Sequence, residues 1–147
     1  MKTRALVMAG MMALTAMAFT RVAQAQDPLA VNIPFDFMAG NTQLPAGEYT
    51  VKVSGPTNTV ILVSRKDSTV SAFMNTNAAV SVEPQSQSKL IFNRYGDRYF
   101  LSQIWTEGNS QGRQLLKSPR EKEMSQIAKN ETRGQVTLVA GLPRTNR

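Results

Sequence analysis

Short alternating runs of apolar and polar residues, closed by glycine or proline, dominate the chain beyond its first 25 residues. In "AVNIPFDF", Val31, Ile33, Phe35 and Phe37 alternate with Asn32, Pro34 and Asp36. In "EYTVKVSG", Tyr49, Val51 and Val53 alternate with Thr50, Lys52 and Ser54. An extended strand sends successive side chains to opposite faces, so each run buries one face and wets the other. Ala30–Phe37 reads as a first strand. Pro34 has no N–H to give a ladder, which puts that strand at an edge or bends it there. "TVILVSRK" supplies another strand, and Val70, Ala72 and Met74 a further one. Gly40-Asn41, Pro45-Ala46-Gly47, Gly55-Pro56 and Asp67-Ser68 read as turns between them. Ala79–Val82 fits a short strand, Glu83–Ser88 an exposed loop, "NSQG" (109–112) another turn and "QVTLVAG" a last strand. Seven or eight strands at this spacing predict a mainly β, single-domain antiparallel β-sandwich or partly open barrel.

One segment breaks the period. Ser118 precedes Pro119 and stands three residues before Glu121, the signature of a capped helix start. The Ser118 hydroxyl is expected to accept from the Glu121 N–H, and the Glu121 carboxylate to reach back to the Ser118 N–H. Met124, Ile127 and Ala128 then share one face, which predicts a helix over about 119–130, before the last strand.

The richest stretch is "KLIFNRYGDRYFLSQIW", Lys89–Trp105, which holds five of the chain's ten aromatic residues. Tyr95-Gly96-Asp97-Arg98 is a two-residue hairpin turn with glycine first. That register sets Arg94 against Tyr99, Phe92 against Leu101 and Leu90 against Gln103. Leu90, Phe92, Leu101 and Trp105 then form a core-facing line. Ile91, Asn93, Tyr95, Arg98, Phe100, Ser102 and Ile104 share the mixed opposite face. Near the turn, Arg94 beside Tyr99 is placed to set a cation on a ring. Arg94, Tyr95, Arg98 and Tyr99 are therefore the candidate contact surface, because tyrosine and arginine dominate binding hot spots. Rings split between two faces do not make the one-sided basic platform of a single-strand nucleic-acid binder, so no nucleic acid is expected. A carbohydrate-binding module using Trp105, Tyr95 or Tyr99 is the alternative.

Residues 1–25 carry Lys2 and Arg4, an uncharged run from Ala5 to Phe19, and "AQA" at Ala23–Ala25. This is the layout of a secretory leader cleaved after Ala25. The apolar run is shorter than the roughly 20 residues of a spanning helix, and no membrane span is expected in the remaining chain. The expected mature chain, residues 26–147, is one domain ending in a basic tail at 142–147. Its 14 basic residues against 10 acidic ones leave a net +4 rather than +7. That mild excess suits an envelope component, an anionic surface or a polysaccharide as partner. Export predicts a periplasmic or extracellular place.

Cysteine and histidine are both absent. This excludes disulfides, thiolate metal sites and any Ser-His-Asp triad. No metal or cofactor is implied. The residual catalytic readings are a Ser-Lys pair at Ser118 with Lys117 or Lys122, and a two-carboxylate hydrolase built from Asp36, Glu48, Asp97 and Glu107. Both are weaker than a non-enzymatic protein acting by binding or assembly.

"VNIPFDFMAGNTQLPAGEYTV", "LIFNRYGDRYFLSQIW" and "LLKSPREKEMS", in that order, resemble a group of small exported acidobacterial-type proteins of unassigned activity. The resemblance implies an exported or envelope β protein and carries over no site residue. "LPAGEYTV" separately resembles the turn and strand of prealbumin-like and other Ig-like modules, where the tyrosine packs at a strand corner.

Overall fold

Pro34 splits the first alternating run in two, and the halves go to different parts of the molecule. The computed structural model describes residues 27–55, 57–128 and 133–142. The expected leader, the expected last residues of the helix and residues 143–147 of the tail lie outside them. Among the described residues ten strands and one helix follow in chain order. They are β1 (Leu29–Ile33), β2 (Phe37–Ala39), β3 (Thr42–Leu44), β4 (Gly47–Ser54), β5 (Val60–Arg65), β6 (Ser71–Val80), β7 (Lys89–Tyr95), β8 (Arg98–Trp105), β9 (Gln111–Leu115), α1 (Pro119–Ile127) and β10 (Arg133–Val139). Among the described residues no helix is long and apolar enough to cross a membrane.

The mainly β expectation holds, with one helix before the last strand. The strands form one mixed sheet in the order β1-β4-β5-β6-β9-β8, with β7-β10 and β2-β3 also joined through β8. The β2–β8 pairing is parallel, which a purely antiparallel sandwich would not contain. β6 belongs to both halves. Its Ser71–Asn75 part pairs with β5 and its Thr76–Val80 part with β9. A strand shared in this way turns a corner and brings the two halves face to face. The sheet does not close. Its far edges touch at an isolated bridge, where the Ala30 and Gly141 backbones exchange hydrogen bonds of 2.6 and 2.9 Å.

Between the halves lies the main core, where Ile33, Leu44, Ile61, Val63, Leu90 and Phe92 have no exposed surface. Fully burying such a side chain stabilises by roughly 1.5–3 kcal/mol. Phe37 meets Tyr49 and Phe92 edge-on, at 5.2 and 5.5 Å between ring centres, and ties the halves together. Tyr49 is 1% exposed, and its hydroxyl donates to the Pro45 carbonyl at 2.6 Å. The ring thus packs at the corner where the chain enters β4.

Several elements differ from the sequence reading, each for a physical reason. Gly40-Asn41 is the turn of a tight β2–β3 hairpin, with Gly40 at φ 60, and β3 is too short to show alternation. The segment from Ser71 to Val80 is one strand rather than two fragments. "NSQG" runs into β9 instead of ending as a turn. Gly112 is a strand residue there because the Trp105 ring lies across it. A Cβ at this position would stand 2.6 Å from the indole.

The hairpin carries a bulge. Phe92 faces Leu101 as the turn dictates, but Ser102 is an extra residue, so Ile91 pairs with Gln103, Leu90 with Ile104 and Lys89 with Trp105. A bulge inverts the faces beyond it. Ile104 therefore joins Leu90, Phe92 and Leu101 in the main core, and Trp105 leaves that line for the opposite face.

The helix covers the opposite face near the turn. Ser118 accepts from the Glu121 N–H at 3.1 Å, as the cap requires. The Glu121 carboxylate does not return to Ser118. It is 4% exposed and accepts from Asn93 Nδ2 at 2.9 Å and the Tyr95 hydroxyl at 3.3 Å. Met124 and Ala128 pack with Met38, Tyr95 and Phe100 in a second, smaller core. Ile127 is 67% exposed, against expectation. At about 100° per residue, Glu121, Met124 and Ala128 span the inward arc and Ile127 falls outside it.

Candidate contact groove at the hairpin turn

The turn forms as read, with Gly96 at φ 65, but its four candidate residues go separate ways. Tyr95 turns inward. It is buried under α1, edge-on to Phe100 at 5.7 Å, and its hydroxyl is committed to Glu121. Arg94 is exposed, yet its Nε donates to the Gly96 carbonyl at 2.7 Å and its guanidinium lies 5.7 Å from the Tyr99 ring centre. Tyr99 is half-buried and stacks on Phe35 at 3.9 Å with 16° between the ring planes. Arg98 has no side-chain hydrogen bond or ion pair among the described residues, and it lines a groove of about 260 Å³.

Separate elements build that groove. The parallel pairing of Phe37 with Tyr99 brings Asp36, one residue earlier, alongside Arg98. Asp97 comes from the turn itself, and Gln43 from β3, opposite Met38. Arg120 arrives from the first turn of α1. Asp36 uses one oxygen to accept from the Ala46 N–H at 2.8 Å, which holds the β3–β4 connection. Among the described residues the ion pairs are Arg65–Asp67 at 3.5 Å and Lys66–Glu48 at 2.7 Å, both elsewhere. Two guanidinium groups and two carboxylates thus share one open groove without pairing. Guanidinium and carboxylate groups make the strongest directional hydrogen bonds available to side chains, and these retain that capacity for a partner.

No protein-family model matches the chain, and no curated protein or solved structure shows significant similarity to it.

The other candidate residues are dispersed. Of the four carboxylates considered for hydrolysis, Asp36 and Asp97 line this groove. Glu48 lies on β4, where the Lys66 ammonium beside it holds its carboxyl below the usual range. Glu107 lies just beyond β8, its backbone N–H donating to Ser88 Oγ at 2.9 Å. Ser118 is 7% exposed and its hydroxyl is occupied by the helix cap, not by Lys117 or Lys122. Trp105 is 7% exposed, with its indole N–H donated to Gln103 Oε1 at 2.9 Å. Of the three rings considered for a sugar platform, Trp105 and Tyr95 are thus buried and Tyr99 is stacked on Phe35.

Gln43 and Arg120 were not singled out by sequence. Arg120 had a signal. A cation in the first turn of a helix opposes the macrodipole, so its presence there asks for a reason.

Proposed function

We propose that this is an exported, non-enzymatic β protein of the cell envelope or exterior that works by binding or assembly. The groove of Asp36, Asp97, Arg98 and Arg120 is its contact surface. The observation that supports this reading is the unpaired state of those four charges within one groove. The leader-like first 25 residues, the lack of histidine and cysteine, and the resemblance to exported acidobacterial-type proteins agree with it. The partner it favours presents carboxylate or phosphate oxygens to the arginines and donors to the aspartates.

The test is affinity capture from the envelope fraction of the protein's own host, using the wild type and an Arg98→Glu/Arg120→Glu double variant. Both residues are exposed, so the double variant should melt like the wild type. The wild type is expected to retain a defined partner that the double variant loses at least tenfold. Absence of any specific partner, or equal capture by both proteins, would overturn the proposal.

A further inference from the structure

The second feature is independent of the groove and lies in the backbone of β6. The Arg65 N–H donates to the Val70 carbonyl, and the Thr76 N–H to the Thr59 carbonyl. Bonded pairs alternate along an antiparallel ladder, so Ala72 and Met74 also turn their N–H and C=O groups toward β5. Ser71, Phe73 and Asn75 therefore direct theirs to the other edge. Farther along, that edge is occupied. The Ser81 N–H donates to the Ser110 carbonyl, and by the same alternation Asn77 and Ala79 bond to β9. β9 ends at Leu115, and the chain turns away into α1. Among the described residues, the edge N–H groups of Ser71, Phe73 and Asn75 and the edge C=O groups of Ser71 and Phe73 have no backbone partner.

Those of Phe73 and Asn75 border a slot of about 350 Å³ between β6, the end of β9 and the β2–β3 turn. Phe73 is 68% exposed and Leu116, on the slot's wall, 61%. On the outer face Phe73 stands beside Leu62, and Leu62 beside Lys52, in one cross-strand row. A strand laid along the open edge would extend that row and place its central side chain on Phe73.

Proteins ordinarily protect an open strand edge with charge, proline, a bulge or brevity. The edge strands β1, β3 and β10 follow this rule. β1 runs into Pro34, β3 has three residues, and β10 starts with Arg133. Ser71–Asn75 has none of these devices. Among the described residues Lys117 is the one charged side chain lining the slot, which selects a neutral or acidic occupant over a basic one.

We propose that the β6 slot accepts one extended segment of a partner polypeptide. That segment is neutral to acidic, carries an apolar side chain against Phe73, and is held by main-chain hydrogen bonds as an added strand. The test is selection of nonapeptides from a random displayed library against the full chain. Recovered peptides are then synthesised with and without N-methyl groups at alternate residues. Asn75→Pro is the informative variant, because the N–H it removes points to the open edge and not to β5. Phe73→Lys serves if the proline variant fails to fold. Peptides with alternating apolar residues and no basic excess are expected. N-methylation in one alternation phase, and either variant, should weaken binding at least tenfold, whereas Arg98→Glu/Arg120→Glu leaves it unchanged. Failure to enrich any peptide would overturn the proposal, as would peptides that bind the β6 variants undiminished.

Discussion

The groove at the hairpin turn and the slot beside β6 are both open and both bordered by residues of the β2–β3 hairpin, yet their unsatisfied groups differ in kind. In the groove they are side-chain charges, supplied by Asp36, Asp97, Arg98 and Arg120. In the slot they are main-chain N–H and C=O groups, flanked by the exposed rings and methyls of Phe73 and Leu116. The groove is therefore suited to reading charge, and the slot to holding an extended chain whose sequence matters only at alternate positions. Of the five aromatic side chains of Lys89–Trp105, Tyr99 borders the groove and the other four serve neither site. Phe92, Tyr95, Phe100 and Trp105 are all buried.

The contrast would break most sharply in stability measurements. Phe92→Ala removes a ring from the main core and should cost about 3–5 kcal/mol in urea unfolding. Phe73→Ala, at an exposed ring, should stay within about 0.5 kcal/mol. Comparable losses at the two positions would mean that Phe73 packs internally and the slot is not open.

Glu121→Ala comes next. It strips the acceptor from Asn93 and Tyr95 beneath the helix and should destabilise by about 1–3 kcal/mol. Glu121→Gln keeps an acceptor and should recover most of that loss. A neutral alanine variant would show that the helix is not anchored through this residue. Gly112→Ala should cost about 1–3 kcal/mol by forcing a Cβ against Trp105, with the indole emission shifting to the red as the ring is displaced. An unshifted spectrum would place Trp105 elsewhere.

A smaller effect is expected at alkaline pH. Burial pushes the Tyr49 phenol up from its ordinary value, with Arg65 opposing in part. A raised folded-state value means that the native state holds the proton more tightly. The associated stability is complete below the unfolded value of about 10 and is lost as pH rises through the folded value. Melting temperature should fall above pH ~10, and Tyr49→Phe should flatten that fall. The smallest effect is at Lys66→Ala. Its ion pair with Glu48 is exposed, and screening at physiological salt should leave the melting temperature unchanged.

How much of this was legible follows from the physics of each element. Alternation announced β1 and β4, a nearly continuous apolar run announced β5, the Gly96 turn announced the hairpin and the Ser118 cap announced α1, because each signal is local in the chain. The bulge at Ser102 left no trace, since any residue can be the extra one, and it exchanged the roles of Ile104 and Trp105. β9 was hidden because Gly112 serves a ring contact and resembles turn punctuation. In the groove, Arg98 and Tyr99 were legible from the turn. Gln43 and Arg120 were not, because the β2–β8 parallel pairing and the helix bring them there across long sequence separations. The open edge at Ser71, Phe73 and Asn75 is a property of strand order, which local pattern does not encode.

Amide hydrogen exchange along β6 tests the contrast most directly. Ala72 and Met74 should be protected and Ser71, Phe73 and Asn75 should exchange rapidly, an alternation confined to the part of the strand before β9 takes over. Uniform protection across these five amides would contradict the account, because it would mean that the edge is already paired.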